Sequence, residues 1–122
     1  MFVNFSNHPH DKWDERQLKA ALEYGDVIDI PFPNVDADAS EEDILELAKA
    51  YSSKILEVVG NDGAAMVQGE FTLVYAVINL LKENSIKVLS ACSERDVTEI
   101  TDEAGNTIRK SIFVFKRFRE YL

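Results

Sequence analysis

Three short polar segments of the sequence carry side chains that can bind a ligand or transfer a proton. The first contains Ser6, Asn7 and His8. Hydroxyl and amide groups form hydrogen bonds with sugars and phosphates, and an imidazole exchanges protons near neutral pH. His8 is therefore a candidate general acid or base, and Ser6 and Asn7 are candidate ligand-binding residues. The same residue types also suit a polar turn that leads into a helix.

The second segment joins an apolar strand pattern to an apolar helix pattern and contains Gly69, Glu70 and Thr72. Gly69 allows a ligand to approach the backbone, and the first helical turn has free amide groups. Glu70 can accept hydrogen bonds from a ribose, an adenine amino group or Arg95, or it can stabilise the positive end of the helix. Thr72 can cap the helix or donate to a ligand. A single glycine matches neither the dinucleotide fingerprint nor the Walker loop.

The third segment places Cys92, Ser93 and Arg95 at the end of an apolar strand pattern. An arginine can hold a phosphate through two parallel hydrogen bonds, so Arg95 and Ser93 are candidates for a phosphate site. Cys92 would act as a nucleophile only beside a base that lowers the pKa of its thiol. A cysteine in a strand is more often a buried, unreactive residue.

The elements that position these segments follow from hydrophobic periodicity and from capping and turn residues. Ser40 and Asp43 have the spacing of a capping box at the start of a helix. The patterns predict helices over residues 11–24, from Ser40 to the glycine-containing break at 60–63, and from about 70 to 84. They predict strands over residues 2–5, 27–30, 64–68 and 86–91, and a hairpin formed by 97–100 and 108–115.

Strands that alternate with helices predict an α/β fold, here a Rossmann-like three-layer sandwich with a mostly parallel sheet and a C-terminal antiparallel hairpin. In such sheets ligands bind beyond the carboxyl ends of the strands, where the strand order reverses. This rule selects the loops at residues 6–10, 68–72 and 90–95, which are the three polar segments.

Composition indicates one globular domain over residues 1–122, with 46% hydrophobic and 29% charged residues. No apolar run is long enough to span a bilayer and no signal peptide is visible. The single cysteine and the missing signal predict a cytoplasmic protein. Residues 1–106 carry 8 basic and 21 acidic residues, whereas residues 107–122 carry 5 basic and 1 acidic residue. The acidic body argues against long duplex nucleic acid as a partner but permits a small nucleotide.

Four segments of the chain together resemble small CRISPR-associated proteins of the CRISPR-associated Rossmann-fold (CARF) and ring nuclease group. These segments are Phe5-Ser6-Asn7-His8-Pro9, Gly69-Glu70-Phe71-Thr72, Ser93-Glu94-Arg95 and residues 113–119. The resemblance implies antiviral defence, a homodimer, and a cyclic oligoadenylate bound across its two-fold axis without a cofactor. Some members of that group cleave the ring without a metal, using the ribose 2′-hydroxyl as nucleophile. The resemblance implies a pocket lined by Ser6, Asn7, Gly69, Thr72, Ser93 and Arg95.

The leading hypothesis is a homodimer that binds a cyclic oligonucleotide, with cleavage left open. Arg95 or a basic residue of the closing strand would steady the phosphate, the amides after Gly69 would donate to the ligand, and His8 would be the general acid or base. One alternative is a non-enzymatic nucleotide-binding or dimerisation module whose third helix, including Val77, and aromatic last strand form the dimer face. Another is a metal-dependent hydrolase that uses His8, His10 and nearby aspartates, although this spacing fixes no ligand geometry.

Overall fold

The structure, a computed structural model, describes all residues from 1 to 122. The strands are β1 (Phe2–Ser6), β2 (Val27–Pro31), β3 (Ala64–Val67), β4 (Lys87–Thr101) and β5 (Thr107–Glu120). The helices are α1 (Glu15–Leu22), α2 (Glu41–Val59) and α3 (Phe71–Glu83), and a single 3₁₀ turn covers His10–Lys12. No helix of the structure has the length and apolar character needed to cross a membrane.

The five strands form one sheet in the order β2-β1-β3-β4-β5. The first four strands are parallel, and β5 pairs antiparallel with β4. The predicted α/β fold with a C-terminal antiparallel hairpin is therefore confirmed. The strand order reverses between β1 and β3, so the loops after these two strands lie at the position where doubly wound proteins bind ligands.

Two hydrophobic clusters cover the two faces of the sheet. On one face Val3 and Phe5 pack with α2 and α3, and on the other Phe2 packs with α1 and the end of β5. This division follows from the alternation of side chains along β1, which is buried on both faces. Each fully buried side chain of this size contributes about 1.5–3 kcal/mol.

The helix starts depend on capping side chains. Ser40 and Asp43 form the predicted capping box at α2, with both reciprocal hydrogen bonds at 3.1 Å. The expectation that the first helix begins at residue 11 is wrong, because Asp14 caps it by accepting the Gln17 amide at 2.8 Å. The residues before Asp14 form the separate 3₁₀ turn.

Strands β4 and β5 continue far beyond the rest of the sheet. Leu89 is the last residue of β4 that pairs with β3, and from there β4 pairs with β5 alone. We call residues 93–114, nearly all exposed, the ribbon. Nine residues of β4 lie in the ribbon, so at about 3.3 Å per residue it extends about 30 Å.

A bulge at the base of the ribbon decides where the aromatic residues of β5 point. Cys92 pairs with Arg117 and Ser93 pairs with Phe115, so Lys116 is an extra residue on β5. Regular alternation would place Phe115 and Phe118 on opposite faces, but the extra residue turns both toward α1. Their ring centroids lie 4.9 Å apart in the core.

Candidate ligand site at the carboxyl edge of the sheet

A cavity of about 270 Å³ lies between α1 and the base of the ribbon, at the carboxyl edge of the sheet. We call it the aromatic cavity. It brings together His8 and Ser93, which the sequence predicts as site residues from different loops. It is lined by His8, Trp13, Asp14, Gln17, Gln68, Ala91, Ser93, Phe113 and Phe115.

The lining of the aromatic cavity combines ring faces with polar groups. Trp13 and Phe115 are buried wall residues, whereas Phe113 is 74% exposed. Aromatic faces of this kind stack on planar ligands, and the Gln68 amide and the Ser93 hydroxyl offer donors and acceptors. The volume lies close to the lower end of the range for small-molecule sites. The cavity can therefore hold one planar heterocycle with polar groups at its edge.

Other predicted site residues line a second cavity, of about 380 Å³. Asn7 and Glu70 belong to it together with residues 32–35, and it shares no lining residue with the aromatic cavity. The prediction that residues 90–95 form a loop is wrong, because they lie within the continuous strand β4. The side chains of the three polar segments divide between the two cavities.

Ser6 and Asn4 form a buried hydrogen-bond network beneath the first loop. Ser6 Oγ donates to Asn4 Oδ1 at 2.6 Å and accepts the His8 amide at 3.2 Å. Asn4 Nδ2 donates to His8 O at 2.9 Å and to Asp29 Oδ1 at 2.8 Å. Ser6 is 6% exposed and its hydroxyl is already bonded, so in the structure it supports the loop rather than lining a cavity.

Asp29 and His10 form a paired carboxylate and imidazole at the end of this network. Asp29 Oδ2 lies 2.8 Å from His10 Nδ1, and Asp29 Oδ1 accepts the His10 amide at 3.2 Å. Burial raises the pKa of Asp29, but hydrogen bonds from Asn4 and His10 outweigh burial and lower this pKa from its ordinary value. With Nδ1 held by the carboxylate, Nε2 is the ring nitrogen that can exchange a proton with a substrate.

Sequence reasoning missed Asp29 as a functional residue. A signal was available, because Asp29 is the only charged residue within the apolar strand segment Val27–Ile30. What local patterns could not indicate is its partner, since the pair depends on the register that places Asp29 opposite Asn4.

Glu70 is the N-cap of α3. Its carboxylate accepts the Leu73 amide at 2.9 Å, the Thr72 amide at 3.0 Å and the Thr72 hydroxyl at 2.6 Å. The hydrogen bond from the Thr72 side chain, followed by those from the two amides, lowers the pKa of Glu70. Two amides of the first helical turn therefore already donate to a carboxylate, and an anionic ligand would have to displace Glu70 to reach them.

Gly69 provides space for a neighbouring ring. A Cβ at this position would lie 2.6 Å from three atoms of the Phe32 ring, and Phe32 belongs to the core beneath α2 and α3. The close approach that Gly69 permits in the structure is therefore to Phe32.

Arg95 lies on the ribbon and lines neither cavity. Its Nε donates to Ser111 Oγ at 2.6 Å. Arg95 pairs with Phe113, two residues further along the ribbon than the pair of Ser93 with Phe115. It therefore lies on the same face of the ribbon as the aromatic cavity but outside the cavity. Cys92 is half-buried. No group of three or more His, Cys, Asp or Glu side chains is arranged to hold a metal ion.

The chain belongs to the family described as the Uncharacterized protein MJ1673 family, whose model matches residues 1–119. No curated protein and no solved structure matches the chain. The match covers the three polar segments, the Asp29–His10 pair and the whole ribbon.

Proposed function

We propose that this member of the MJ1673 family binds a cyclic oligoadenylate at the carboxyl edge of the sheet and cleaves it by phosphoryl transfer to a ribose 2′-hydroxyl. The observation that carries the proposal is the aromatic cavity, whose wall residue Trp13 has its ring centroid 6.4 Å from that of His10. The cavity that would hold a nucleobase thus lies beside the paired Asp29 carboxylate and His10 imidazole. The resemblance to ring nucleases supplies the ligand class.

One base of the ligand would occupy the aromatic cavity. Stacking of a base on an aromatic side chain is worth about 1–3 kcal/mol, and Phe113 and Trp13 offer such faces. Gln68 has no side-chain hydrogen bond within the protein and is exposed, so its amide is free to contact the edge of the base.

Arg95 would hold a phosphate next to that base. The Ser111 hydroxyl fixes the guanidinium through Nε, which leaves the two terminal NH₂ groups to bind two phosphate oxygens. Arg95 is the cross-strand partner of Phe113 on the same face of the ribbon, so its guanidinium would lie beside a base stacked on Phe113.

Proton transfer would use His10, with Asp29 as its positioning residue. His10 Nε2 accepts the proton of the 2′-hydroxyl, the 2′-oxygen attacks phosphorus, and the bond from phosphorus to the 5′-oxygen breaks. The leaving 5′-oxygen takes a proton from His8, which is exposed at the rim of the aromatic cavity. The product is a linear oligonucleotide with a 2′,3′-cyclic phosphate.

The test is to titrate the protein with cyclic tetra-adenylate and cyclic hexa-adenylate by calorimetry and to analyse the products by mass spectrometry. We expect His10→Asn to abolish cleavage and retain binding, and Phe113→Ala to weaken binding about tenfold or more. Phe71→Ala is the matched control, since Phe71 is an exposed aromatic residue on α3 that lines neither cavity. Absence of binding to both rings at micromolar concentration would refute the proposal.

A second candidate is a non-enzymatic binding or dimerisation module, which the exposed aromatic residues of α3 favour. Phe71 and Tyr75 are 88% and 70% exposed and lie one helical turn apart. The expectation that Val77 belongs to a dimer face is wrong, because Val77 is fully buried in the core. Ligand binding without product, unchanged in Arg95→Ala, would favour this candidate.

A further inference from the structure

The second cavity, lined by Asn7, Glu70 and residues 32–35, lies where the strand order of the sheet reverses. Asn7 follows β1 and Glu70 follows β3, and these two strands are neighbours. The chain passes from β1 to α1 on one face of the sheet and from β3 to α3 on the other face, which leaves a crevice between the two connections. The second cavity therefore occupies the position at which doubly wound sheets bind their ligands.

Glu70 gives this cavity its charge, since it is the only charged residue of the lining. A carboxylate has about four acceptor positions. In Glu70 they receive three hydrogens, from the Thr72 amide, the Thr72 hydroxyl and the Leu73 amide. One acceptor position is left, and the side chain is exposed. The cavity therefore repels a phosphate and favours a neutral group that donates a hydrogen bond.

The rest of the lining combines carboxamides with apolar side chains. Asn7 and Asn34 are exposed and make no side-chain hydrogen bond within the protein. A carboxamide donates and accepts at once, so it can pair with N7 and the N6 amino group of adenine. Phe32 and Val35 offer apolar surface to the flat face of a base. A purine that carries an amino group thus meets every part of the lining.

We propose that the second cavity reads one adenine of the ligand, with Asn7 bound to N6 and N7 and with Glu70 accepting the remaining N6 hydrogen. The subsite deepens the proposed function and rests on it, because the adenine belongs to the cyclic oligoadenylate. Guanine and hypoxanthine carry an acceptor oxygen where adenine carries its amino group. That oxygen would face the carboxylate of Glu70 without a hydrogen between them, so these bases are rejected.

The two cavities adjoin each other across the crevice. Asn7 and His8 are consecutive residues, yet the first lines the second cavity and the second lines the aromatic cavity. Gln68 and Glu70 are divided in the same way across Gly69. Two consecutive nucleotides of one ligand can therefore occupy both cavities. Stacking in the aromatic cavity tolerates any base, so the preference for adenine comes from the second cavity.

The first experiment titrates isotope-labelled protein with adenosine and with inosine, the nucleoside of hypoxanthine, and follows the binding by NMR. The side-chain amide signal of Asn34 reports the second cavity and the indole signal of Trp13 reports the aromatic cavity. At the second cavity adenosine should bind at least about tenfold more tightly than inosine. Equal affinities at the Asn34 signal, or no shift of this signal at millimolar adenosine, would overturn the subsite.

The second experiment removes the two reading groups in turn. Asn7→Ala should weaken adenosine binding at the second cavity about tenfold. Asn79→Ala is the matched control, because Asn79 is an exposed asparagine on α3 that lines neither cavity, and it should leave this binding unchanged.

Glu70→Gln keeps an acceptor oxygen for the cap of α3 and adds an amide that can donate to the oxygen of inosine. The ratio of adenosine to inosine affinity should therefore fall toward one. A residue that only caps the helix would lower the melting temperature and leave this ratio unchanged, which would overturn the role of Glu70. Binding of a cyclic oligoadenylate without any adenosine preference at the second cavity would overturn the subsite alone. An adenosine preference without binding of either ring would support the subsite and refute the cyclic ligand.

Discussion

Replacing Asn4 with alanine tests whether the buried network beneath the first loop holds the candidate proton-transfer pair. Asn4 is 1% exposed, and its side chain joins Ser6 and His8 to Asp29 through hydrogen bonds. The substitution leaves the strand intact and removes all three partners from the amide.

The expected loss follows from the three hydrogen bonds. Those with Ser6 Oγ, at 2.6 Å, and with His8 O, at 2.9 Å, are each worth about 1 kcal/mol. The bond to the Asp29 carboxylate, at 2.8 Å, is charge-assisted and worth about 1.5–3 kcal/mol. Asn4→Ala should therefore lower the free energy of unfolding by about 4 kcal/mol, a large part of the roughly 5–15 kcal/mol typical of a domain.

Urea unfolding measures this loss, with the fluorescence of Trp13 as the signal. Trp13 is the single tryptophan and its Nε1 donates to His8 O at 3.1 Å, so it reports on the same loop. Asn7→Ala is the control, since Asn7 is exposed and makes no side-chain hydrogen bond, and it should change stability by less than about 0.5 kcal/mol. A loss below about 1 kcal/mol for Asn4→Ala, or equal losses for both variants, would refute the reasoning.

Two further predictions concern Asp29 and Gly69. The pKa of Asp29 is lowered in the folded protein. Its contribution to the free energy of unfolding is therefore fully present above the ordinary carboxyl pKa, and it is lost as the pH falls through the pKa of the folded protein. In Asp29→Asn the free energy of unfolding should therefore fall less steeply below about pH 4, and an unchanged acid slope in denaturant titrations would contradict this. Gly69→Ala places Cβ 2.6 Å from the Phe32 ring and should cost about 1–3 kcal/mol in thermal or urea unfolding. In a Phe32→Leu background, Gly69→Ala should lower the free energy of unfolding by less than it does in the original protein. An equal loss in both backgrounds would contradict this explanation.

The sequence by itself determined the α/β class, the order of elements and the capping box at Ser40. These features depend on local patterns, namely apolar residues with a period of 2 or 3.6 and capping side chains a few positions away. The same patterns placed His8 beyond the carboxyl end of a parallel strand. They did not show that β4 continues past Ser93 to Thr101. The role of Glu70 as a helix cap was also available from its position next to the helix start.

Only the tertiary structure decided which side chains meet at that edge. The pairing of Asp29 with His10 spans 19 residues and depends on the register of β2 against β1. The aromatic cavity depends on the bulge at Lys116, since one extra residue places Phe115, before the bulge, on the same face as Phe118, after it. Local periodicity encodes neither the register nor the bulge, because both are set by contacts between distant strands.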